Sequence, residues 1–269
     1  MAAQVIIPDA VRQLAEHPMR ELPIPPTGYE KVEIDGAIVV MTPFPLAQCV
    51  EPLDVDAAGI PRAVEAARAV ARARGKSILA WWITPEYAHL APALEERGLV
   101  NEDTPGFEAI ENAMALVTAP DDASLEAVEV KAVSSFEEFA GGARVSMDSF
   151  DVTPAMRAEI EAGLPERYEE SVDPANPGRG FVALVDGHIV GSATAVLAAA
   201  GVNLFGGAVL SHARGRGVYR ALVVARWRLA EERGTPALTI QAGRMSKPIA
   251  ERLGFVQVSA VRLYVDTFQ

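Results

Sequence analysis

Five residues of one short stretch have the types and spacing to do chemistry. Arg214, Gly215, Arg216, Gly217 and Arg220 place three arginines and two glycines within seven positions, in a chain whose formal charge is −12. A local charge opposed to the global one points to an anionic ligand. Phosphate is the group that arginines and bared backbone N–H groups hold well together. The glycines let the backbone turn sharply and expose its N–H groups, and a helix N-terminus directly behind them would add about 0.3–1 kcal/mol toward an anion. The flanking sequence carries the elements that would position such a cradle. Residues 204–210 are an apolar run of strand length, and Val218, Ala221, Leu222, Ala225 and Leu229 recur at helical spacing. The expected unit is a strand, an anion-binding loop and a helix.

Two common phosphate loops do not fit. The chain has no Gly-x-x-x-x-Gly-Lys-Ser/Thr run, and Arg220 stands where a Gly-x-Gly-x-x-Gly fingerprint needs its third glycine. Residues 214–219 instead resemble the Arg/Gln-x-x-Gly-x-Gly/Ala pyrophosphate loop of the GNAT superfamily of acyl-CoA N-acyltransferases, with Tyr219 where that pattern ends in Gly or Ala. Downstream, Glu251-Arg252-Leu253-Gly254-Phe255 is similar to the family's Leu-Gly-Phe signature, and the resemblance covers about residues 128–269. It implies an α/β fold with a mixed central sheet flanked by helices, and acetyl-CoA (coenzyme A) as co-substrate with no metal. Carried over position by position, it implies that Arg214, Gly215, Arg216, Gly217, Val218 and Tyr219 hold the pyrophosphate. Ala208, Val209 and Leu210, at a distorted strand end, would direct N–H groups at the thioester and pantetheine.

Acyl transfer to an amine also needs a proton acceptor for the amine and a proton donor for the departing thiolate. Many members of the family carry a tyrosine four residues before the glycine of Leu-Gly-Phe; that position is Ala250 here. The asparagine frequent before this helix is absent as well, which leaves Ser246 nearest. Ser246 is a candidate for catalysis or for a coenzyme contact, against a plain turn or capping role before Pro248. Tyr219 is the other catalytic candidate, against simple packing. His212 could act as a base only if it points inward, against a loop histidine facing solvent.

Composition narrows the classes. Half the residues are hydrophobic, enough for a sizeable core, and a pI near 4.9 argues against a nucleic-acid binder, which needs a broad basic surface. Cys49 is the single cysteine, which excludes an intrachain disulfide and fits a reducing compartment. It reads as a buried or incidental thiol, not a nucleophile. His17, His89, His188 and His212 lack ligand spacing, so no metal site is expected. No apolar run approaches the roughly 18 residues of a membrane span, and the N-terminus lacks a signal-peptide layout, so a cytoplasmic protein is expected.

Ahead of the cradle, the pattern predicts a helical arm to about residue 20, a break at Pro23, Pro25 and Pro26, and a hairpin over 29–41 around Asp35-Gly36. A helix over 63–73, a strand over 78–83 and a helix over 85–97 stopped by Gly98 follow. That order recurs around the cradle. Gly59-Ile60-Pro61-Arg62-Ala63-Val64 lines up with Gly217-Val218-Tyr219-Arg220-Ala221-Leu222, and Arg74-Gly75 with Arg233-Gly234. An internal duplication is one reading, and chance similarity of a common α/β order is the other. A link near residues 118–123 then divides the chain into two GNAT-like domains in tandem: a degenerate domain over 1–120 and an acetyltransferase domain over 121–269. In the first, Asp56-Ala57-Ala58-Gly59 replaces the basic cradle, with Asp54 just before it. Carboxylates there would repel a pyrophosphate, so only the second domain is expected to bind coenzyme. Within it, Ser135 with Glu138, and Thr153 with Pro154, read as helix starts, and Asp186-Gly187 as a hairpin turn.

Two functional readings remain open. One is an N-acetyltransferase that moves acetyl from acetyl-CoA directly to the amine of a small molecule or peptide in a ternary complex, as a monomer or homodimer with no nucleic-acid or membrane partner. The other is a non-catalytic acyl-CoA-binding sensor or interaction module, which fits the missing acid–base residues. Thiol release in the presence of amines separates the two.

Overall fold

Apolar spacing and turn chemistry account for most element boundaries in the computed structural model, which describes residues 5–43, 48–104, 108–123, 125, 127–150 and 152–269. The chain forms two compact units, residues 1–115 with 241–269 and residues 116–240. In the first, Val11, Leu14 and Ala15 bury one side of α1 (Asp9–Glu16), and Pro18 opens the short α2 (Pro18–Glu21). β1 (Glu30–Ile34) and β2 (Ala37–Met41) make the expected hairpin, closed by Gly36 at a left-handed φ of 78°. Then come β3 (Cys49–Pro52), α3 (Ile60–Arg72), β4 (Ile78–Ile83), α4 (Ala91–Glu96) and β5 (Ile110–Leu116). Gly98, at φ 85°, follows α4 where the sequence calls for a stop.

The second unit holds β6 (Glu129–Ala132), α5 (Phe136–Ser149), α6 (Pro154–Ala162), α7 (Leu164–Val172), β7 (Gly178–Val185), β8 (His188–Leu197), β9 (Val202–Val209), α8 (Val218–Glu232) and the opening of β10 (Leu238–Ala242). Ser135 caps α5 by accepting the Glu138 N–H at 3.2 Å, and Thr153 caps α6 by accepting the Met156 N–H at 3.3 Å. Glu138 returns its bond to the Ser134 N–H, one residue before the cap expected from sequence. Asp186 and Gly187 both take positive φ, 53° and 78°, as a tight hairpin turn requires.

Two more elements, α9 (Lys247–Arg252) and β11 (Val256–Thr267), belong to the first unit. The units therefore do not follow a cut at residue 120. β11 lies antiparallel between β4 and β5, with Leu263 opposite Trp82 and Val261 opposite Glu111, and its apolar residues enter that unit's core. Strand order is β1-β2-β3-β4-β11-β5 in the first unit and β10-β9-β8-β7-β6 in the second. The sequence β1-β2-β3-α3-β4-α4 is repeated as β7-β8-β9-α8-β10-α9, with the same two antiparallel pairings followed by one parallel pairing. α3, which starts three residues ahead of the helix read over 63–73, buries Ile60, Ala63, Val64, Ala67 and Ala71. α8 is buried more widely than its sequence stripe: Val223, Val224, Arg226 and Trp227 are inside as well, while Ala225 and Leu229 are only half-buried. Among the described residues no helix is long and apolar enough to cross a membrane.

Candidate active site

The cradle forms where β9 hands over to α8. Gly215 and Gly217 both sit at left-handed φ, 77° and 79°, and Gly217 occupies the N-cap of α8. A side chain at either position would be strained, which explains the residue type. Among the described residues no side chain caps α8, and its first turn carries no acid. Its first intrahelical bond is Ala221 N–H to the Gly217 carbonyl at 2.9 Å, so the N–H groups of Val218, Tyr219 and Arg220 have no acceptor within the helix. Three N–H groups and a dipole end are thus left for an anion.

The three arginines of this stretch are each engaged within the chain. Arg214 donates to the Val209 carbonyl at 3.3 Å, and Arg216 stands 3.7 Å from the exposed Asp186. Arg220 donates to the Ala123 carbonyl at 2.6 Å. Val218 is buried and packs over Gly191, so its part in the cradle is its backbone.

β9 is distorted, but two residues earlier than the sequence suggests. Ala208 faces Ser192 and Phe205 faces Thr194, so Gly206 and Gly207 together oppose one residue of β8. Gly206 has φ 57°, the mark of a glycine bulge. Leu210 is not an available donor, because its N–H goes to the Val190 carbonyl at 3.0 Å. Pairing of β9 with β10 covers only Val202 with Leu238 and Asn203 with Thr239, so the bulged part of β9 runs on beyond it. A strand-to-helix junction with a glycine bulge, a left-handed glycine loop and an uncapped helix leaves backbone N–H groups open to an anionic ligand.

Solved structures of the same build include a GCN5-related N-acetyltransferase from Kribbella flavida, 16% identical over 95% of this chain and 95% of its own, at a TM-score of 0.67. The fold is that of the GNAT proteins. A second GCN5-related N-acetyltransferase, from Sphaerobacter thermophilus, is 14% identical and covers 87% of this chain and 81% of its own at a TM-score of 0.58. A tandem GNAT protein from the clavulanic acid biosynthesis pathway is 14% identical over 98% of this chain and 89% of its own, at 0.60. No family model and no curated protein matches the sequence.

Within this GNAT fold the two catalytic candidates fall in different compact units, Tyr219 with the cradle and Ser246 with the first unit. Ser246 stands at the N-cap of α9 but does not cap it; its hydroxyl donates to the Gly243 carbonyl at 3.3 Å. Ala250 is 1% exposed and fills core space. Tyr219 is half-buried, its ring lying on Gly207. His212 is exposed. The Cys49 thiol is pushed up to about 12, first by burial and then by Glu111 and Glu51, so it is no nucleophile near neutral pH.

Sequence reading passed over three features. The Gly206-Gly207 pair was visible as a break in an apolar run, which is how a bulge announces itself. Glu111, on β5, was not: its carboxyl is pushed up to about 7, first by burial and then by nearby Glu108. That stretch is tied to the turn carrying Ser246, since Asn112 donates to the Ala242 carbonyl at 2.9 Å and the Arg244 N–H donates to Glu108 at 2.6 Å. A carboxyl titrating near neutrality can accept a proton. Arg226, buried in α8, is the third.

Proposed function

We propose that this chain is an N-acetyltransferase that moves the acetyl group of acetyl-CoA directly to the amine of a small-molecule or peptide acceptor in a ternary complex. The observation that supports it is the uncapped N-terminus of a fifteen-residue helix behind two left-handed glycines, beside a bulged strand. In this reading the pyrophosphate rests on the N–H groups of Val218, Tyr219 and Arg220, with Arg214 and Arg216 at the rim. The thioester carbonyl meets N–H groups around Gly206, Gly207 and Ala208, where charge develops as the amine attacks. The new C–N bond forms as the C–S bond breaks; the amine gives up one proton and the departing thiolate takes one. Ser246 is the residue assigned to the thiolate's proton, because it opens the helix that bears the Leu-Gly-Phe signature. The GNAT fold of neighbours named as N-acetyltransferases is consistent with this reading.

The test is thiol release from acetyl-CoA in the presence of a pooled amine library, with calorimetric titration of acetyl-CoA alongside. Amine-dependent thiol release and one coenzyme site per chain are expected. Tight binding without thiol release would favour a sensor or interaction module, a reading for which Ala250 speaks, since a buried methyl stands where many GNAT enzymes carry a tyrosine. No binding at all would overturn both.

A further inference from the structure

Arg226 is fully buried, with 0% of its surface exposed, a state arginine almost never takes without a carboxylate beside it. Among the described residues, the side chain that favours its charge is Tyr219. The rest of the guanidinium is spent on backbone: Nε donates to the Leu222 carbonyl at 3.0 Å and Nη1 to the Thr194 carbonyl at 3.2 Å, while Nη2 has no hydrogen-bond partner among the described residues. Tyr219 and Arg226 are seven residues apart, two turns on one face of α8, and helical side chains lean toward the N-terminus, which brings the arginine back under the tyrosine.

Both side chains end on the bulge. The Tyr219 ring covers Gly207 so closely that a Cβ added there would stand 2.6 Å from it. Thr194, whose carbonyl Arg226 holds, is the first residue of β8 past the register shift. The loop's departure from its family pattern is thereby explained: bulk gained at Tyr219 is matched by bulk absent at Gly207.

We propose that Tyr219 and Arg226 are positioning residues, a buttress from α8 that holds the Gly206–Gly207 bulge in the shape that turns its N–H groups toward the acyl carbonyl. The buttress rests on the Arg226–Thr194 bond and the Tyr219–Gly207 contact, whereas its service to an acyl carbonyl rests on the acetyltransferase reading.

The experiment follows amide hydrogen exchange at Gly206, Gly207 and Ala208 by NMR, with acetyl-CoA turnover measured in parallel. Arg226→Met should speed exchange at these amides at least tenfold while those of β7 keep their rates, and should lower kcat at least tenfold with KM for acetyl-CoA within about threefold. Arg226→Lys should recover part of both losses. Should Arg226→Met not fold, Gly207 decides: Gly207→Ala alone should loosen the same amides, and the double variant Gly207→Ala/Tyr219→Ala should be no worse than Tyr219→Ala alone. Unchanged exchange in folded Arg226→Met, or strictly additive Gly207 and Tyr219 effects, would overturn the buttress. A hundredfold loss of kcat in Tyr219→Phe with unmoved bulge amides would make Tyr219 the proton donor instead and overturn it too. If the wild-type chain turns over no acetyl-CoA, the acetyltransferase reading fails, and the exchange data still judge the buttress.

Discussion

The junctions β3–α3 and β9–α8 occupy equivalent places in the repeated topology and do opposite things with their polar groups. At β3–α3 the chain itself supplies partners for much of the junction. Glu51, fully buried, meets His17 at 2.6 Å and Arg20 at 2.8 Å. The Pro52 carbonyl accepts from Arg20, the Leu53 carbonyl from the Tyr87 hydroxyl, and the N–H groups of Leu53 and Asp54 both go to the Gly36 carbonyl. At the head of α3 the Asp56 carboxylate takes the Gly59 N–H at 2.8 Å, and Pro61 removes another donor. Gly59 has φ −80° where Gly217 has 79°. The same strand–loop–helix frame thus either carries its own anion or leaves room for one. Which happens depends on a few side chains and one backbone turn.

The largest effect should come from closing the open junction. Gly217→Val forces a β-branched residue into φ 79° and brings a Cβ to 3.3 Å from Leu125. Affinity for acetyl-CoA should fall at least a thousandfold, about 4 kcal/mol, with the circular dichroism spectrum unchanged; surviving affinity in calorimetry would put the phosphates elsewhere. Opening the closed junction should cost slightly less. Glu51→Gln removes the charge that His17 and Arg20 share, and breaking a buried pair is expected to destabilise by about 3 kcal/mol in urea unfolding without creating a second coenzyme site. An unmoved midpoint would contradict the ion lock, and a second site would contradict the role given to the acids at α3.

Ser246→Ala should lower turnover about 100-fold with coenzyme affinity nearly unchanged, as loss of a positioned acid does. An unchanged rate would hand the proton to water, and lost affinity would make Ser246 a binding residue. Glu111 bears on stability through pH. With its carboxyl raised from 4.5 to about 7, the folded chain holds this proton more tightly than the unfolded one. The stabilisation is complete below about pH 4.5 and disappears as pH rises through about 7. Glu111→Gln cannot ionise, so relative to wild type it should gain about 2 kcal/mol on going from acid to mildly alkaline pH, after allowance for partial exposure. Parallel unfolding curves at the two pH values, with no gain, would show that the carboxyl is not held protonated. Arg216→Ala should matter least. Arg216 is 49% exposed and 3.7 Å from an exposed Asp186, so coenzyme affinity should drop less than tenfold; a larger loss in titration would mean that Arg216 grips the phosphates directly.

Much of this was written in residue types. Local elements follow from nearest neighbours in sequence: the alanine-rich helix α3, the caps at Ser135 and Thr153, the Asp186-Gly187 turn, and the pairing of glycines with arginines at residues 214–217. The duplicated order and the acidic replacement at Asp56 were legible for the same reason, because a turn or a cap is decided within a few positions. The bulge was half-legible: its glycines show, but its position depends on how β9 registers on β8, and a register is a property of two strands.

What the tertiary structure alone decided are the pairings between distant segments. Residues 241–269 join the first unit because β11 finds edges at β4 and β5. Glu51 meets His17 and Arg20 from more than thirty positions away. Arg226 is not one of the residues of the apolar stripe read along α8, yet it is buried. Inside, its Nη1 donates to the Thr194 carbonyl of β8 and its Nε to the Leu222 carbonyl one turn back. A buried charge is tolerable only where partners converge on it in space, and no spacing along the chain announces that convergence.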